Sequence, residues 1–299
     1  MQSLSYYLQH PYVTADKLLV RYFTWLPDKI YLKLKFRFIM GYRLNLKTPQ
    51  TFSEKLQWLK LFDRRPEYSI MVDKVKAKEY VASVLGDDYI IPTLGVWNDP
   101  EEIDFDALPE RFVLKCNHNS GLGMYICKDK SKMNVKEVKY RLRKGLKQNY
   151  FVGNREWPYK NVPHRVLAEQ YIDSSHITKD LPDYKFFCFN GEPKYCQVIS
   201  NRSTTMCVDF FDKKWNHQPF HEPYDTPFAN PTPQRPEHLE LMWEASRKLA
   251  KGTFFTRIDF YDVNGKIFFG EITFFPTGGM GGFEPKDWDY KWPLVTPPD

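Results

Sequence analysis

The chain has 299 residues, enough for one large domain or two modest ones with a substantial hydrophobic core. Its 43 Lys and Arg residues outnumber 37 Asp and Glu residues, and no apolar run approaches the ~18 residues that a membrane-spanning helix needs. The first residues, MQSLSYYLQHPYV, lack the basic and apolar regions of a secretory signal, so we expect a cytoplasmic protein. Five cysteines without a C-x-x-C pair indicate reduced core residues, not a metal centre or a disulfide framework.

The positive charge is concentrated near the N-terminus. Residues 1–47 contain eight Lys and Arg residues against two acidic residues, Asp16 and Asp28, so the rest of the chain is nearly neutral. Basic residues interleaved with aromatic ones suit the inner face of a membrane, which would give peripheral membrane contact through this segment. The same pattern is typical of lysines that pack their stems on a protein body. No nucleic-acid-binding motif accompanies it, so we expect no nucleic acid partner.

Residues 1–65 are predicted to be mainly helical. Asp28 follows a proline and offers a helix start. Ser53 is the predicted N-cap of the helix EKLQWLKLF. Pro66 then opens a helix that is predicted to run through Leu85.

Short strands and helices alternate in the rest of the chain, which predicts an α+β fold. The predicted strands are 89–96, 111–116, 123–128, 166–172, 184–189, 194–200, 205–211, 254–261 and 266–274. The predicted helices are 134–149 and 236–251. Asn-Gly turns at 190–191 and 264–265 predict two β-hairpins. A Pro-rich stretch without periodicity, residues 216–236, predicts a long loop.

The second hairpin, RIDFYDVNGKIFFGEITFFPTGG, carries the most distinctive set of polar residues. Arg257 and Asp259 share one strand face, and Glu271 and Thr273 share one face of the next strand. If the connecting loop has an odd number of residues, the two faces coincide. Two carboxylates beside a cation suit Mg²⁺ that carries a polyphosphate. The alternative is a salt-bridged, exposed sheet face.

Lysines precede this hairpin at three places. Lys74 lies at the start of a predicted helix, where a solvated helix face is the alternative. Lys115 ends the strand FVLK and is followed by a polar loop with glycines, which could bring backbone N–H groups close to phosphates. Asp183 and Lys185 share one face of the strand DYKFF, where they could equally form a structural ion pair.

In this order the lysines, the loop, the strand RVLAEQYI and the R-x-D…E-x-T hairpin resemble the ATP-grasp superfamily. The runs TFSEKLQWLKLFDRRP, DYKFFCFNGEPK and GEITFFPTGG resemble its TupA-like branch, named for teichuronopeptide synthesis, and the resemblance covers roughly residues 45–285. It implies an ATP-grasp fold with two sheet-containing lobes. The catalytic region would be residues 69–299, preceded by a basic, mainly helical segment at residues 1–68.

The resemblance also implies roles for individual residues. Those implied for ATP are Lys74, Lys115, Ser120, Gly121 and Gly123 at the phosphates, Glu169, Gln170, Tyr171 and Ile172 at an adenine hinge, and Asp173 at the ribose. Asp259, Glu271 and Thr273 would hold Mg²⁺, although the family often has Asn at the last position. Arg257 would stabilise charge on an acyl phosphate or a tetrahedral intermediate, and Lys185 would assist at the phosphates.

The implied activity is ATP-dependent carboxylate–amine ligation through an acyl phosphate. The expected substrates are a uronic acid of a bacterial surface polysaccharide or its precursor, and an amino acid or related amine. Two alternatives stay open. D-x-D pairs at Asp104/Asp106 and Asp287/Asp289 could belong to a glycosyltransferase, and the chain could be a kinase-like ATP-binding module.

Overall fold

The computed structural model describes residues 11–173, 181–222 and 226–292. The sequence predictions that fall on residues 1–10, 174–180, 223–225 and 293–299 lie outside these ranges. The helices are α1 (Pro11–Tyr22), α2 (Asp28–Met40), α3 (Phe52–Phe62), α4 (Pro66–Val72), α5 (Lys76–Leu85), α6 (Val135–Leu146), α7 (Tyr150–Asn154), α8 (Leu239–Ala250) and α9 (Trp288–Lys291). The strands are β1 (Thr93–Trp97), β2 (Phe112–Cys116), β3 (Tyr125–Cys127), β4 (Val166–Gln170), β5 (Asp183–Phe189), β6 (Glu192–Ser200), β7 (Cys207–Phe211), β8 (Phe255–Val263) and β9 (Lys266–Thr273).

These strands form two antiparallel sheets. The smaller sheet has the order β1-β4-β2-β3, and the larger has the order β7-β6-β5-β8-β9. The mixed α+β architecture with two sheets that we predicted is therefore confirmed. No helix in the described ranges is long and apolar enough to cross a membrane.

The larger sheet has an aromatic face and a partly charged face. Phe186 on β5 packs edge-on against Trp243 of α8, with 5.5 Å between ring centroids, and against Phe260 of β8. Each such buried ring contributes about 2 kcal/mol of hydrophobic stabilisation. Side chains alternate along a strand, so Asp183 and Lys185 lie on the opposite face from Phe186. The charged face is therefore held on a rigid support.

The smaller sheet is built in the same way. Phe112 and Leu114 of β2 are fully buried against Val138 and Leu142 of α6. The alternation of buried and half-buried residues along β2 leaves Lys115 on the other face. All five cysteines are buried and unpaired, as we predicted.

Two predictions about the helices are wrong. The N-cap of α3 is Thr51 and not Ser53, because Thr51 and Glu54 form a capping box in which each side chain bonds the other's backbone N–H. The predicted helix from Pro66 to Leu85 is two helices. It breaks because the Asp73 carboxylate accepts a hydrogen bond from the backbone N–H of Val75 at 3.0 Å, which substitutes for a helical bond.

Candidate active site

Three charged groups meet on the inner face of the smaller sheet. The Lys115 ammonium lies 2.5 Å from Glu169 Oε2, and the Lys78 ammonium lies 2.7 Å from Glu169 Oε1. Lys78 also donates to the carbonyl of Ile91 at 2.7 Å. Burial raises the pKa of Glu169, but the two ammonium groups outweigh it and the net shift is downward. Glu169 is therefore ionised, and the cluster keeps a net positive charge.

Lys74 lies in the break between α4 and α5 and faces both sheets. Its ammonium donates to the carbonyl of Asn119 at 2.7 Å and lies 3.8 Å from Glu271 Oε2 on the larger sheet. Burial lowers the pKa of Lys74, while Glu271 acts in the opposite direction. The helix break that we failed to predict is what places this lysine between the two sheets.

A buried network holds the break in place. The side-chain amide of Asn117 donates to Asp73 Oδ1 at 2.8 Å, and its carbonyl oxygen accepts from the Arg165 backbone at 2.7 Å. The backbone N–H of Lys74 donates to the Asn117 carbonyl at 3.1 Å. Asp73 also pairs with the Arg165 guanidinium at 2.8 Å. These bonds tie Lys74 to the end of β2, close to Lys115.

The predicted phosphate loop follows directly after β2. Ser120 and Gly121 are exposed, and their backbone N–H groups donate to no acceptor within the described ranges. Gly123 is buried with a φ of 83°, and a Cβ there would lie 3.0 Å from the Cys116 sulfur and 3.1 Å from the Gly145 backbone. Only glycine fits at this position. The tip of the loop is thus open, while its base packs tightly on α6.

The larger sheet carries the second cluster. Lys185 of β5 pairs with Asp259 of β8, which lies directly opposite Glu271 of β9. Arg257 donates to both oxygens of Asp259 at 2.7 Å and to Glu271 Oε1 at 3.0 Å. It also reaches the Thr273 hydroxyl at 3.2 Å. One face of the larger sheet therefore carries Lys185 from the strand DYKFF together with the four hairpin residues, which are Arg257, Asp259, Glu271 and Thr273.

The charges in this cluster hold one another ionised. Burial raises the pKa of Glu271, but Lys74 and Arg257 outweigh it and lower the value to about 2. Burial lowers the pKa of Arg257, but Asp259 and Glu271 raise it by a larger amount. The net shift is upward, so the guanidinium stays protonated. The Glu271 side chain is one-third exposed, and its Oε2 forms no hydrogen bond with the described residues. This oxygen faces the cleft between the sheets.

The two hairpin faces coincide because of a bulge, not because of the loop. The loop is the two-residue turn Asn264-Gly265, with φ values of 54° and 73°. Phe260 pairs with Phe269, whereas Asp259 pairs with Glu271, so Gly270 is the extra residue. Without that residue, the period of two would place Glu271 on the aromatic face.

The family model for TupA-like ATP-grasp proteins matches residues 54–292. This chain belongs to the TupA-like ATP-grasp family. The resemblance of the lysines, the loop and the hairpin to ATP-grasp proteins is thereby confirmed. A search of curated proteins by sequence gave no match.

The solved structures that resemble this TupA-like protein do so at low sequence identity. D-alanine–D-alanine ligase from Bacillus anthracis, complexed with ATP, is 18% identical over 68% of this chain and 53% of the ligase, with a TM-score of 0.40. The Helicobacter pylori D-alanine–D-alanine ligase is 15% identical over 82% and 68%, with a TM-score of 0.43. N5-carboxyaminoimidazole ribonucleotide synthetase from Thermus thermophilus is 11% identical over 81% and 52%, with a TM-score of 0.40. The chain thus spans about half the length of the first of these structures.

The oxygen donors of the TupA-like protein fit Mg²⁺ in chemistry but are engaged by cations. Both Asp259 oxygens contact Lys185 or Arg257. Glu271 Oε2 lies 3.8 Å from the Lys74 ammonium and accepts no hydrogen bond from the described residues. Within the described ranges, no group of three or more His, Cys, Asp or Glu residues converges on a metal position. Mg²⁺ in nucleotide sites is usually held by one or two carboxylates together with the phosphates, and this pair could provide that. The metal roles of Asp259, Glu271 and Thr273 stay predictions.

The predicted hinge lies where the chain leaves the smaller sheet. The backbone N–H of Gln170 donates to the Pro92 carbonyl at 3.0 Å. Arg111 lies over the Tyr171 ring and pairs with Asp173 at 2.5 Å. The Asn264 side chain donates to the Asp173 carbonyl at 3.1 Å, which connects the hinge to the hairpin turn. Asp173 therefore has partners in the protein, and the adenine and ribose roles of Glu169 through Asp173 stay predictions.

Three contributors were missed by sequence reasoning. Lys78 holds the second oxygen of Glu169, and its spacing of four residues from Lys74 was the signal that could have identified it. Asn117 organises the break before α5, and Gly270 sets the hairpin register. An isolated glycine inside a strand pattern is a known sign of a bulge.

The aspartates of the two D-x-D pairs make structural contacts. Asp289 is buried and accepts hydrogen bonds from the backbone N–H and the hydroxyl of Ser53 at 3.2 and 3.1 Å. Asp287 pairs with Lys291 on the surface. Asp104 accepts from the backbone N–H of Asp106 at 3.0 Å, which makes a local turn. Neither pair presents two carboxylates to a common point in the cleft.

Proposed function

We propose that this TupA-like protein is an ATP-dependent ligase that joins a carboxylate to an amine through an acyl phosphate. The observation that carries the proposal is the placement of the two clusters on facing sheets. Lys74 stands between them, 2.7 Å from the phosphate-loop carbonyl of Asn119 and 3.8 Å from Glu271. A triphosphate in this cleft would have ammonium groups on one side and the Arg257 cluster on the other.

The reaction proceeds in two steps. A carboxylate oxygen of the first substrate attacks the γ-phosphorus of ATP, the bond to the β-phosphate oxygen breaks, and ADP leaves. The amine nitrogen then attacks the acyl carbon, the tetrahedral intermediate expels inorganic phosphate, and the nitrogen loses a proton to solvent. The product is an amide.

The side chains of the cleft position the groups and stabilise charge. Lys74 and Lys115 hold phosphate oxygens, and the open N–H groups of Ser120 and Gly121 cover them. Arg257 supplies donors from a half-buried guanidinium, which its carboxylate neighbours keep protonated, to the oxyanion of the second step. Asp259 and Glu271, with Thr273, are the residues that would hold Mg²⁺, which neutralises phosphate charge when bound.

The proposed substrates follow from the branch to which the chain belongs. TupA-like proteins take their name from teichuronopeptide synthesis, and this supports a uronic acid of a bacterial surface polysaccharide, or its precursor, as the carboxylate. The amine is an amino acid or a related compound. The helical segment before residue 69 and the loop around residues 216–236 are the parts that we propose to recognise the acceptor.

The test has two stages. Calorimetric titration of Mg·ATP into the wild type, Lys115→Ala and Glu271→Gln asks whether the cleft binds nucleotide, with the exposed Lys132→Ala as the control. ADP release is then measured with uronates and amines, singly and together. We expect release that requires both substrates and is lost in Arg257→Ala.

The outcomes separate the alternatives. ATP binding with ADP release that no amine accelerates would favour a kinase-like module. Binding of a nucleotide sugar without ATP binding, together with loss of function in Asp287→Asn, would favour a glycosyltransferase. Either result contradicts the proposed ligase.

A further inference from the structure

The N-terminal helices form a hairpin whose inner side is well packed. Lys35 of α2 and Asp16 of α1 form an ion pair at 2.6 Å, so the helices run back along each other from the short connection at residues 23–27. Leu19, Leu32 and Phe36 are buried on the inner side. We call residues 11–40 the α1–α2 hairpin.

The outer side of this hairpin exposes large apolar side chains. Trp25 in the connection is 73% exposed and the adjacent Tyr22 is 57% exposed. Those exposed at or near the tip are Leu18, Tyr22, Phe23, Trp25, Ile30 and Leu34. Single exposed apolar residues are ordinary, but a group of six within seventeen residues is a feature of interaction surfaces.

The charges on this outer side have one sign. Both acidic residues of the hairpin point to internal partners: Asp16 pairs with Lys35, and Asp28 lies 2.7 Å from Arg64 and 3.5 Å from Arg155. The exposed basic residues Arg21, Lys29, Lys33 and Arg37 pair with no acidic side chain in the described part of the chain. The acidic residues thus stabilise the hairpin and leave its surface cationic.

We propose that the outer side of the α1–α2 hairpin docks on an anionic lipid bilayer. On α2, Ile30, Lys33, Leu34 and Arg37 follow the i, i+3, i+4, i+7 spacing and lie on one exposed face. Aromatic and aliphatic groups at the tip enter the headgroup region, where Trp and Tyr are favoured, while the adjacent cations meet anionic headgroups.

Charge complementarity selects this occupant over others. A second copy of the chain would bring two surfaces of like charge together. A nucleic acid would satisfy the cations but would leave the aliphatic groups of Leu18, Ile30 and Leu34 without an apolar environment. A bilayer with anionic headgroups accommodates both kinds of side chain.

The α1–α2 hairpin is anchored to residues 153–155, and this segment also lies beside the loop that follows β9. Arg155 donates to the Thr24 carbonyl at 2.5 Å, and the Tyr31 hydroxyl donates to the Gly153 carbonyl at 3.1 Å. The buried Lys60 ammonium bonds the neighbouring Asn154 carbonyl at 2.9 Å and the Gly278 carbonyl, in the loop after β9, at 2.5 Å. Presentation of a lipid-linked acceptor to the cleft follows only if the proposed ligase function holds, whereas the docking itself does not depend on it.

The docking is tested by flotation of the full chain with vesicles. One set is phosphatidylcholine alone, and the other contains a minority of anionic phosphatidylglycerol. We expect flotation only with the anionic set. Trp25→Ala should weaken the association about tenfold, since one large apolar contact is lost. Lys29→Ala/Lys33→Ala should weaken it about thirtyfold through two lost charges.

Matched controls lie on exposed positions elsewhere. Tyr140→Ala on α6, which is 65% exposed in the wild type, and Lys132→Ala should float like the wild type. Absence of flotation, equal flotation with both vesicle sets, or wild-type flotation of Trp25→Ala would overturn the proposal. A dimer in sedimentation that Trp25→Ala abolishes, or binding to a short duplex DNA as tight as to anionic vesicles, would overturn it in favour of another partner. None of these variants lies in the proposed nucleotide site, so each should bind ATP like the wild type. A loss of flotation is therefore observed independently of whether the ligase proposal holds.

Discussion

The two clusters that face the cleft carry different charge balances. The smaller-sheet cluster has two ammonium groups, Lys78 and Lys115, and one carboxylate, Glu169, so it keeps a net positive charge. The Lys74 ammonium lies between the two sheets, 3.8 Å from Glu271. The larger-sheet cluster has two carboxylates, Asp259 and Glu271, and two cations, Lys185 and Arg257, so its charges balance. The neighbouring Asp183 is paired with Arg202. The smaller-sheet side is therefore suited to an anion, whereas the larger-sheet side is balanced and offers a carboxylate oxygen of Glu271 to a cation.

The difference lies in how the counter-charges of each cluster are distributed. Glu169 is shared by Lys78 and Lys115, so each ammonium keeps part of its charge for a ligand. Asp259 instead takes contacts from both Lys185 and Arg257, while Glu271 keeps one oxygen open. Such charges interact more strongly in a partly buried cleft than in water. A magnesium–triphosphate complex would complement both sides at once.

The largest expected effect is on the larger-sheet side. Arg257→Ala removes the donors that we assign to the oxyanion, so turnover should fall by about 10²–10³, the usual cost of one such group. Mg·ATP affinity should change much less, because the ammonium groups of the smaller sheet remain. The measurement is kcat for ADP release beside calorimetric titration of ATP.

Arg257→Lys is the matched control. Lysine keeps the charge but lacks the planar fork that contacts Asp259 with two nitrogens, so it should restore little of the turnover. If Arg257→Ala lost ATP binding and turnover in proportion, Arg257 would belong to the nucleotide side and the division between the clusters would be wrong.

The next effect is on the smaller-sheet side. Lys115→Met removes one charged hydrogen bond to phosphate, worth about 1.5–3 kcal/mol, so the Kd for Mg·ATP should rise about ten- to hundredfold. Lys132→Met, at an exposed site, should bind ATP like the wild type. Wild-type affinity in the Lys115 variant would remove the phosphate role from this cluster.

A smaller effect concerns His118, which lies in the loop after Lys115. Burial first, and then the stacked His164 ring at 3.6 Å between centroids, lowers the pKa of His118 to about 4. As the pH falls below 6.5, His118 becomes protonated in the unfolded chain but stays neutral in the folded protein. The unfolding free energy therefore falls as the pH is lowered. From pH 7 to pH 5 this histidine should account for about 2 kcal/mol of lost unfolding free energy.

Urea unfolding at the two pH values tests this directly. His118→Gln should lose less stability on acidification than the wild type does, by the amount that His118 contributes. Lys132→Gln, at an exposed site and without a group that titrates between these pH values, is the control and should keep the wild-type pH dependence. An identical pH dependence in all three proteins would show that His118 titrates normally.

Much of the fold could be predicted because it rests on local patterns. Alternation along DYKFF predicted that Asp183 and Lys185 share one sheet face, and the Asn-Gly pair predicted the turn of the second hairpin. The chain order of lysines, loop and hairpin was enough to identify the family. Strand alternation and the turn depend on neighbours within a few residues, so both can be predicted from the sequence without knowledge of the tertiary contacts.

The parts that were missed depend on contacts between distant segments. Asn117, 44 positions away, donates to the same Asp73 oxygen that accepts from Val75, and this distant contact holds the break before α5 in place. Thr51 prevailed over Ser53 because Glu54 completes its capping box, while the Ser53 hydroxyl is claimed by Asp289. A local pattern cannot reveal the distant partners Asn117 and Asp289, whereas the T-x-x-E run from Thr51 to Glu54 was a local signal that was overlooked. The bulge at Gly270 is intermediate, since a single glycine suggests it but does not say which residues change face.

The smallest expected effect tests that bulge. A Cβ at Gly270 would lie 3.1 Å from the Asp259 carbonyl oxygen and 3.4 Å from the Tyr261 ring, so Gly270→Ala must displace β8 by a few tenths of an ångström. We expect a loss of about 1 kcal/mol of unfolding free energy. The displacement falls on the strand that carries Arg257 and Asp259, so turnover should also fall while ATP affinity holds. Gly252→Ala is the control: its φ of 81° disfavours alanine, so this variant loses stability through backbone strain, but a Cβ there has open space and lies in the turn before β8. Equal losses of turnover in both variants would mean that general loosening, and not the register at Glu271, limits the reaction.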